Sequence, residues 1–63
     1  MNEEKFNMSM RKFLKHVGVT SQQEIEKAVR ASGRTEGSIP VKVVLTAGDI
    51  GVEHVVEGVI ELS

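Results

Sequence analysis

Cysteine, tryptophan and tyrosine are all absent from this 63-residue sequence. Without thiols the chain can form no disulfide, no thiolate metal site and no thiol redox centre. The two histidines are the only side chains that could supply nitrogen ligands to a metal. Two ligands are too few, because a metal site needs three or four that converge. The sequence therefore predicts no metal site, no cofactor and no cysteine chemistry.

Long hydrophobic runs are also missing, since no apolar stretch approaches the roughly 20 residues of a membrane span. Residues 2–5 are polar and include two glutamates, whereas a secretory signal needs a basic region followed by an apolar run. We therefore expect a soluble, cytoplasmic protein with no membrane association.

The net charge is only -1, but it is unevenly distributed. Residues 1–34 carry seven Lys/Arg and four Glu, a balance of +3, and residues 35–63 carry one Lys and five acidic residues, a balance of -4. Opposite charge on the two halves favours docking to copies of the same chain or to a charged protein partner.

The first half of the chain has helical periodicity. Apolar residues recur at spacings of three and four on one stripe: Phe6, Met10, Phe13, Leu14 and Val17. This spacing predicts a helix from about Glu3 to His16, ended by Gly18 in the left-handed conformation. Basic residues near its end, including His16, suit the negative pole of the helix dipole.

A second helix is predicted to begin at Ser21 and to end at Gly33. Ser21 and Glu24 have the spacing of a capping box, in which each side chain caps an amide at the start of a helix. On this interpretation, Ser21→Ala removes a cap and costs about 0.5 to 2 kcal/mol.

From Ile39 the periodicity changes to two, which is typical of strands. Residues up to Thr46 are rich in β-branched side chains, Ala47–Gly51 has turn composition, and apolar residues then alternate with glutamates up to Leu62. The predicted fold is a single α+β domain over residues 1–63, with two helices followed by an antiparallel β-hairpin packed on them (ααββ).

Two groups of residues are candidates for an interaction surface. Three valines lie on the hairpin face opposite the predicted core, and three cations lie on the polar side of the first helix; they are Val44, Val55, Val59, Arg11, Lys12 and Lys15. A two-stranded sheet has open edges and is marginal in water. We therefore predict that the chain forms a homodimer or binds a protein partner.

The run from Phe6-Asn7-Met8-Ser9 to Ala28-Val29-Arg30, together with the tail from His54 to Ile60, resembles a family of small bacterial proteins of unknown function. The resemblance covers most of the chain. It implies no activity, because it brings no catalytic residues with it.

An enzyme is not expected. No serine lies in a Gly-x-Ser-x-Gly elbow, and neither glycine-rich stretch has the Lys-Ser/Thr ending of a phosphate loop.

His54 is interpreted as a partly buried histidine bonded to backbone.

Nucleic-acid binding through a helix-turn-helix-like form is the alternative, although Glu24 and Glu26 in the recognition position would repel phosphate.

Overall fold

The computed structural model describes all 63 residues and contains one helix and one β-hairpin. Helix α1 spans Glu3–Ser32, strand β1 spans Ser38–Ala47, a single 3-10 turn spans Gly48–Ile50 and strand β2 spans Val52–Glu61. The chain divides into two units, Met1–Gly33 and Arg34–Ser63, so the helix forms one unit and the hairpin the other.

Both ends of α1 are capped. The Asn2 side chain accepts a hydrogen bond from the Lys5 amide at 3.0 Å and thereby satisfies one of the unpaired amides of the first turn. At the other end Gly33 has φ 72, a left-handed conformation that glycine adopts without strain, and its N–H donates to the Arg30 carbonyl. The predicted first and last boundaries of the helical region are confirmed.

The predicted division of this region into two helices is wrong, because the helix continues through residues 17–21. Gly18 lowers the stability of a helix interior by only about 1 kcal/mol relative to alanine, which a long helix tolerates. Thr20 supports continuity, since its hydroxyl donates to the His16 carbonyl at 2.8 Å within the helix. His16 consequently lies in the middle of α1 rather than at a C-terminus.

The capping box at Ser21 is wrong for the same reason. A cap acts on amides that lack a partner in the preceding turn, and the amides after Ser21 follow about five turns of helix. Ser21 is half-buried, and the carboxylate of Glu24 lies 3.9 Å from the Lys27 ammonium. The capping role belongs to Asn2 instead.

The hairpin confirms the α+β class and the predicted strand pair. Strand β1 pairs antiparallel with β2 over their whole length, from Ser38 opposite Glu61 to Ala47 opposite Val52. The turn closes at Gly51, which has φ 68. Beyond the strands, the Leu62 amide donates to the Gly37 carbonyl at 2.9 Å and extends the pairing.

No residue of the chain is buried. Along α1 the half-buried positions Val17, Ser21, Ile25 and Val29 follow one another at intervals of four, and Thr20 adjoins them. In the hairpin the half-buried residues are Ile39, Val41, Leu45, Ala47, Ile60 and Leu62. The predicted ααββ order is wrong, because one helix and not two precedes the hairpin.

The continuous helix predicts the effect of Gly18→Ala. A Cβ at Gly18 meets no atom within 4 Å, so alanine should raise the helix content and stabilise α1 by about 0.5 to 1 kcal/mol. Circular dichroism of the helix band during urea titration measures this. Gly33→Ala, at a left-handed position, is the matched control and should destabilise α1 by about 1 kcal/mol. A loss of helix content in Gly18→Ala would instead indicate a break at residue 18.

Candidate interaction surfaces

The hairpin register creates one almost entirely aliphatic face. Odd-numbered residues of β1 lie opposite even-numbered residues of β2, and opposite residues share a face of the sheet. The apolar members of this face, here called the aliphatic face, are Ile39, Val41, Val43, Leu45, Ala47, Val52, Val56 and Ile60. At its centre, Val43 is 46% exposed and Val56 is 52% exposed.

Two positions interrupt the aliphatic face. Gly58, opposite Val41, leaves a gap, since a Cβ there would meet only Val41 Cγ2 at 3.9 Å. His54, opposite Leu45, is exposed and makes no hydrogen bond or ion pair within the chain. The interpretation of His54 as a partly buried histidine bonded to backbone is therefore wrong.

The opposite face of the hairpin, here called the acidic face, carries the predicted valines. Val44 lies directly opposite Val55, and Val59 lies opposite Pro40. All three valines are about half exposed, from 49% to 58%. The same face carries Glu53, Glu57 and Glu61 on β2.

The predicted cations form a separate surface on α1. No acidic residue occurs between Glu4 and Glu24, so Arg11, Lys12 and Lys15 have no carboxylate within one turn of the helix. All three are exposed and none forms a salt bridge. Lys12 and Lys15 also border an open depression of about 530 Å³ with Ser9, Phe13, His16 and Val19. The six predicted residues thus belong to two surfaces, one in each unit.

The open strand edges were expected from the sequence, but the difference between the two edges was not. The sheet has two strands, so each strand has one unpaired edge. β1 contains Pro40, which lacks an amide N–H, and Lys42, whereas β2 contains no proline, lysine or arginine. Proline and lysine protect exposed edges against pairing. Their confinement to β1 is the sequence signal that distinguishes the two edges.

No group of three or more His, Asp or Glu side chains is close enough to hold a metal ion. No helix combines the length and the apolar character needed to cross a membrane.

Comparison with protein families matches residues 1–63 to a family described as a family of unknown function, DUF6494. The match covers the whole sequence, so the chain belongs to this family. The resemblance to a family of unknown function is confirmed. No curated protein and no solved structure matches the chain.

The cationic surface predicts that Lys12→Glu stabilises α1. A glutamate at residue 12 faces Lys15 at i+3, which replaces a like-charge contact with an attractive one worth about 0.2 to 0.5 kcal/mol. Helix content at low salt measures the gain, which about 1 M salt should reduce.

Lys42→Glu is the matched control, because it changes the net charge equally but lies in β1. It should leave the helix content unchanged. Equal gains in the two variants would attribute the effect to net charge rather than to neighbours on α1.

Proposed function

We propose that this chain is a non-enzymatic, cytoplasmic interaction module that self-associates as a homodimer. The observation that supports this proposal is the exposure of the aliphatic face in a chain with no buried residue. Transfer of apolar surface out of water is favourable by roughly 25 cal/mol per Å². A second copy of the chain offers the same apolar surface, and joining the two surfaces removes part of each from water.

The strand count supports the same proposal. A hairpin of two strands is marginally stable in water, and three or more strands with an apolar face are needed for independent stability. The hairpin has two strands. Association of two hairpins provides four strands, which meets this requirement without another partner.

The charged surfaces suit recognition of a further protein. The acidic face carries Glu53, Glu57 and Glu61, and the α1 surface carries unpaired cations. Charges of this kind steer encounters and select partners more than they add affinity. A protein partner of either charge could therefore dock on one of the two surfaces, and on the acidic face the exposed valines would contribute apolar contact.

The proposal predicts a concentration-dependent mass. Sedimentation equilibrium should show the 6.9 kDa chain changing to about twice that mass between about 1 and several hundred micromolar, which corresponds to a dissociation free energy of roughly 5 to 8 kcal/mol. Val56→Lys places a charge at the centre of the aliphatic face and should weaken association at least about tenfold if apolar contact between the two copies drives it. Persistence of the monomer mass at several hundred micromolar would contradict the proposal.

Nucleic-acid binding is the second candidate, and the acid-free stretch from residue 5 to residue 23 is the observation in its favour. Its helix-turn-helix-like form is wrong, because α1 is continuous. We predict no retention of the chain on heparin at about 0.1 M salt, since Glu24 and Glu26 of the same helix repel phosphate and the net charge of the chain is -1. Retention that decreases steeply with salt and is lost in Lys12→Gln/Lys15→Gln would favour nucleic-acid binding instead.

A further inference from the structure

The outer edge of β2 presents a regular series of unpaired backbone groups. The hydrogen bond from the Leu62 amide to the Gly37 carbonyl shows which residues of β2 bond inward to β1. Because bonded and non-bonded pairs alternate along an antiparallel ladder, the even-numbered residues of β2 bond to β1. The amides and carbonyls that point outward belong to the odd-numbered residues of β2, which are Glu53, Val55, Glu57, Val59 and Glu61.

The same phase explains the position of Pro40. Pro40 lies opposite Val59, which is a pair without mutual hydrogen bonds, so its missing N–H falls on the outer edge of β1. The outer edge of β1 therefore lacks one hydrogen-bond donor at Pro40. The next residue of β1 whose backbone groups point to this edge is Lys42. Both features oppose strand addition to β1. The outer edge of β2 has neither.

We infer that β2 pairs antiparallel with β2 of a second copy, about a two-fold axis at Val56. This inference rests on the proposed self-association and names its surface and register. The products of pairing are a continuous four-stranded sheet in the order β1-β2-β2-β1 and a single aliphatic face twice as wide.

The register follows from two requirements together with the number of residues that are paired. The aliphatic faces of both copies must lie on the same side of the sheet, so the axis must pass through a residue of β2 rather than between two residues. Glutamates should also avoid lying opposite one another, because opposed like charges destabilise a sheet. An axis at Val56 satisfies both, since Glu53 then faces Val59 of the second copy and Glu57 faces Val55 of the second copy.

The neighbouring registers fail one of these tests. An axis at Val55 places Glu53 opposite Glu57 of the second copy, and an axis at Glu57 places that glutamate opposite its own equivalent. Axes at His54 and Gly58 avoid such pairs but shift the strands and pair fewer residues of β2. The register centred on Val56 pairs residues 52–60 with residues 60–52, nearly the whole strand.

Pairing in this register gives hydrogen-bond partners to the outward backbone groups of β2 and fills the gap that Gly58 leaves in the aliphatic face. Four of the outward-pointing residues, Glu53, Val55, Glu57 and Val59, form four bonded pairs across the axis, which supply about eight backbone hydrogen bonds at two per pair. His54 lies beside Gly58 of the second copy on the same face. The large imidazole thus adjoins the one position of β2 that has no side chain.

Single-cysteine variants test this inference, because the natural chain has no cysteine. Directly opposed residues of an antiparallel pair have Cα atoms about 4.5 to 5.5 Å apart, which is within the range that a disulfide spans. Val56→Cys should therefore form a covalent dimer under mild oxidation. In Val55→Cys and Glu57→Cys the two cysteines are offset by two residues, about 8 Å apart, and should cross-link at least about tenfold more slowly.

Val52→Cys is the matched control on the same face. Its two cysteines would lie about 27 Å apart, eight residues along the strands, and should form no disulfide dimer above the background of free collision. Each variant is examined before oxidation by sedimentation, to establish that it still associates, and by circular dichroism, to establish that it folds as the parent does.

The outcomes separate this inference from the proposed function. Fastest cross-linking at Val56 in a dimer supports the inference. Fastest cross-linking at residue 55 or 57 overturns the register, and a dimer that cross-links at none of these positions overturns pairing through β2 but leaves self-association intact. A monomeric parent chain at several hundred micromolar overturns both.

Val55→Lys provides an independent test that needs no oxidation. In the inferred register the introduced ammonium group lies opposite Glu57 of the second copy, and the two-fold axis creates two such pairs. The dissociation constant of the dimer should therefore fall at least about threefold at low salt, and this gain should be lost at high salt. Val44→Lys lies on the same face but in β1, away from the axis, and should leave the dissociation constant nearly unchanged. Weaker association of Val55→Lys would overturn the register.

Discussion

The pairing of β1 with β2 is the interaction on which the surfaces of the hairpin depend. Ten consecutive residue pairs, from Ser38 with Glu61 to Ala47 with Val52, hold the two strands in one register. Since a shift of one residue would exchange the two faces of one strand, this register alone places the aliphatic residues of both strands together. It also leaves the three glutamates of β2 together on the other side. The aliphatic residues and the glutamates thereby lie on opposite faces of one small sheet.

The helix has a different source of order. A helix of 30 residues gains from cooperative propagation, so one unfavourable residue in the middle does not end it. Caps at Asn2 and Gly33 satisfy groups at its ends, whereas the tract at residues 18–21 lies where every amide already has a partner in the preceding turn. This long element bears a surface of uncompensated positive charge around Arg11, Lys12 and Lys15. Like charges so close together weaken a helix, so these three residues do not contribute to the stability of α1 through their charges.

Exposed apolar surface connects the proposed function with the composition of the chain. With no cysteine and no cluster of metal ligands, the chain has no covalent or metal cross-link to compensate for a small core. Chains of this size commonly complete their core by association. A four-stranded sheet built across β2 would satisfy the outward amides of that strand and join two aliphatic faces. Pro40 and Lys42 protect the outer edge of β1 against strand addition, so such an assembly would stop at two copies.

The sequence by itself determined the α+β class, the two outer limits of the helical region, the strand pair and the membership of a family of unknown function. These features depend on local periodicity and on residues with strong conformational preferences, such as Gly33, so they can be read from neighbours in the chain. Continuity through Gly18 and Ser21 could not be predicted in the same way, because a capping box and a helix interior share the same residues and only the state of the preceding turn distinguishes them. The tertiary structure also decided which residue lies opposite which across the strands. Only that register shows that Val44 meets Val55, that His54 has no partner within the chain, and that the outward groups of β2 form an unprotected edge.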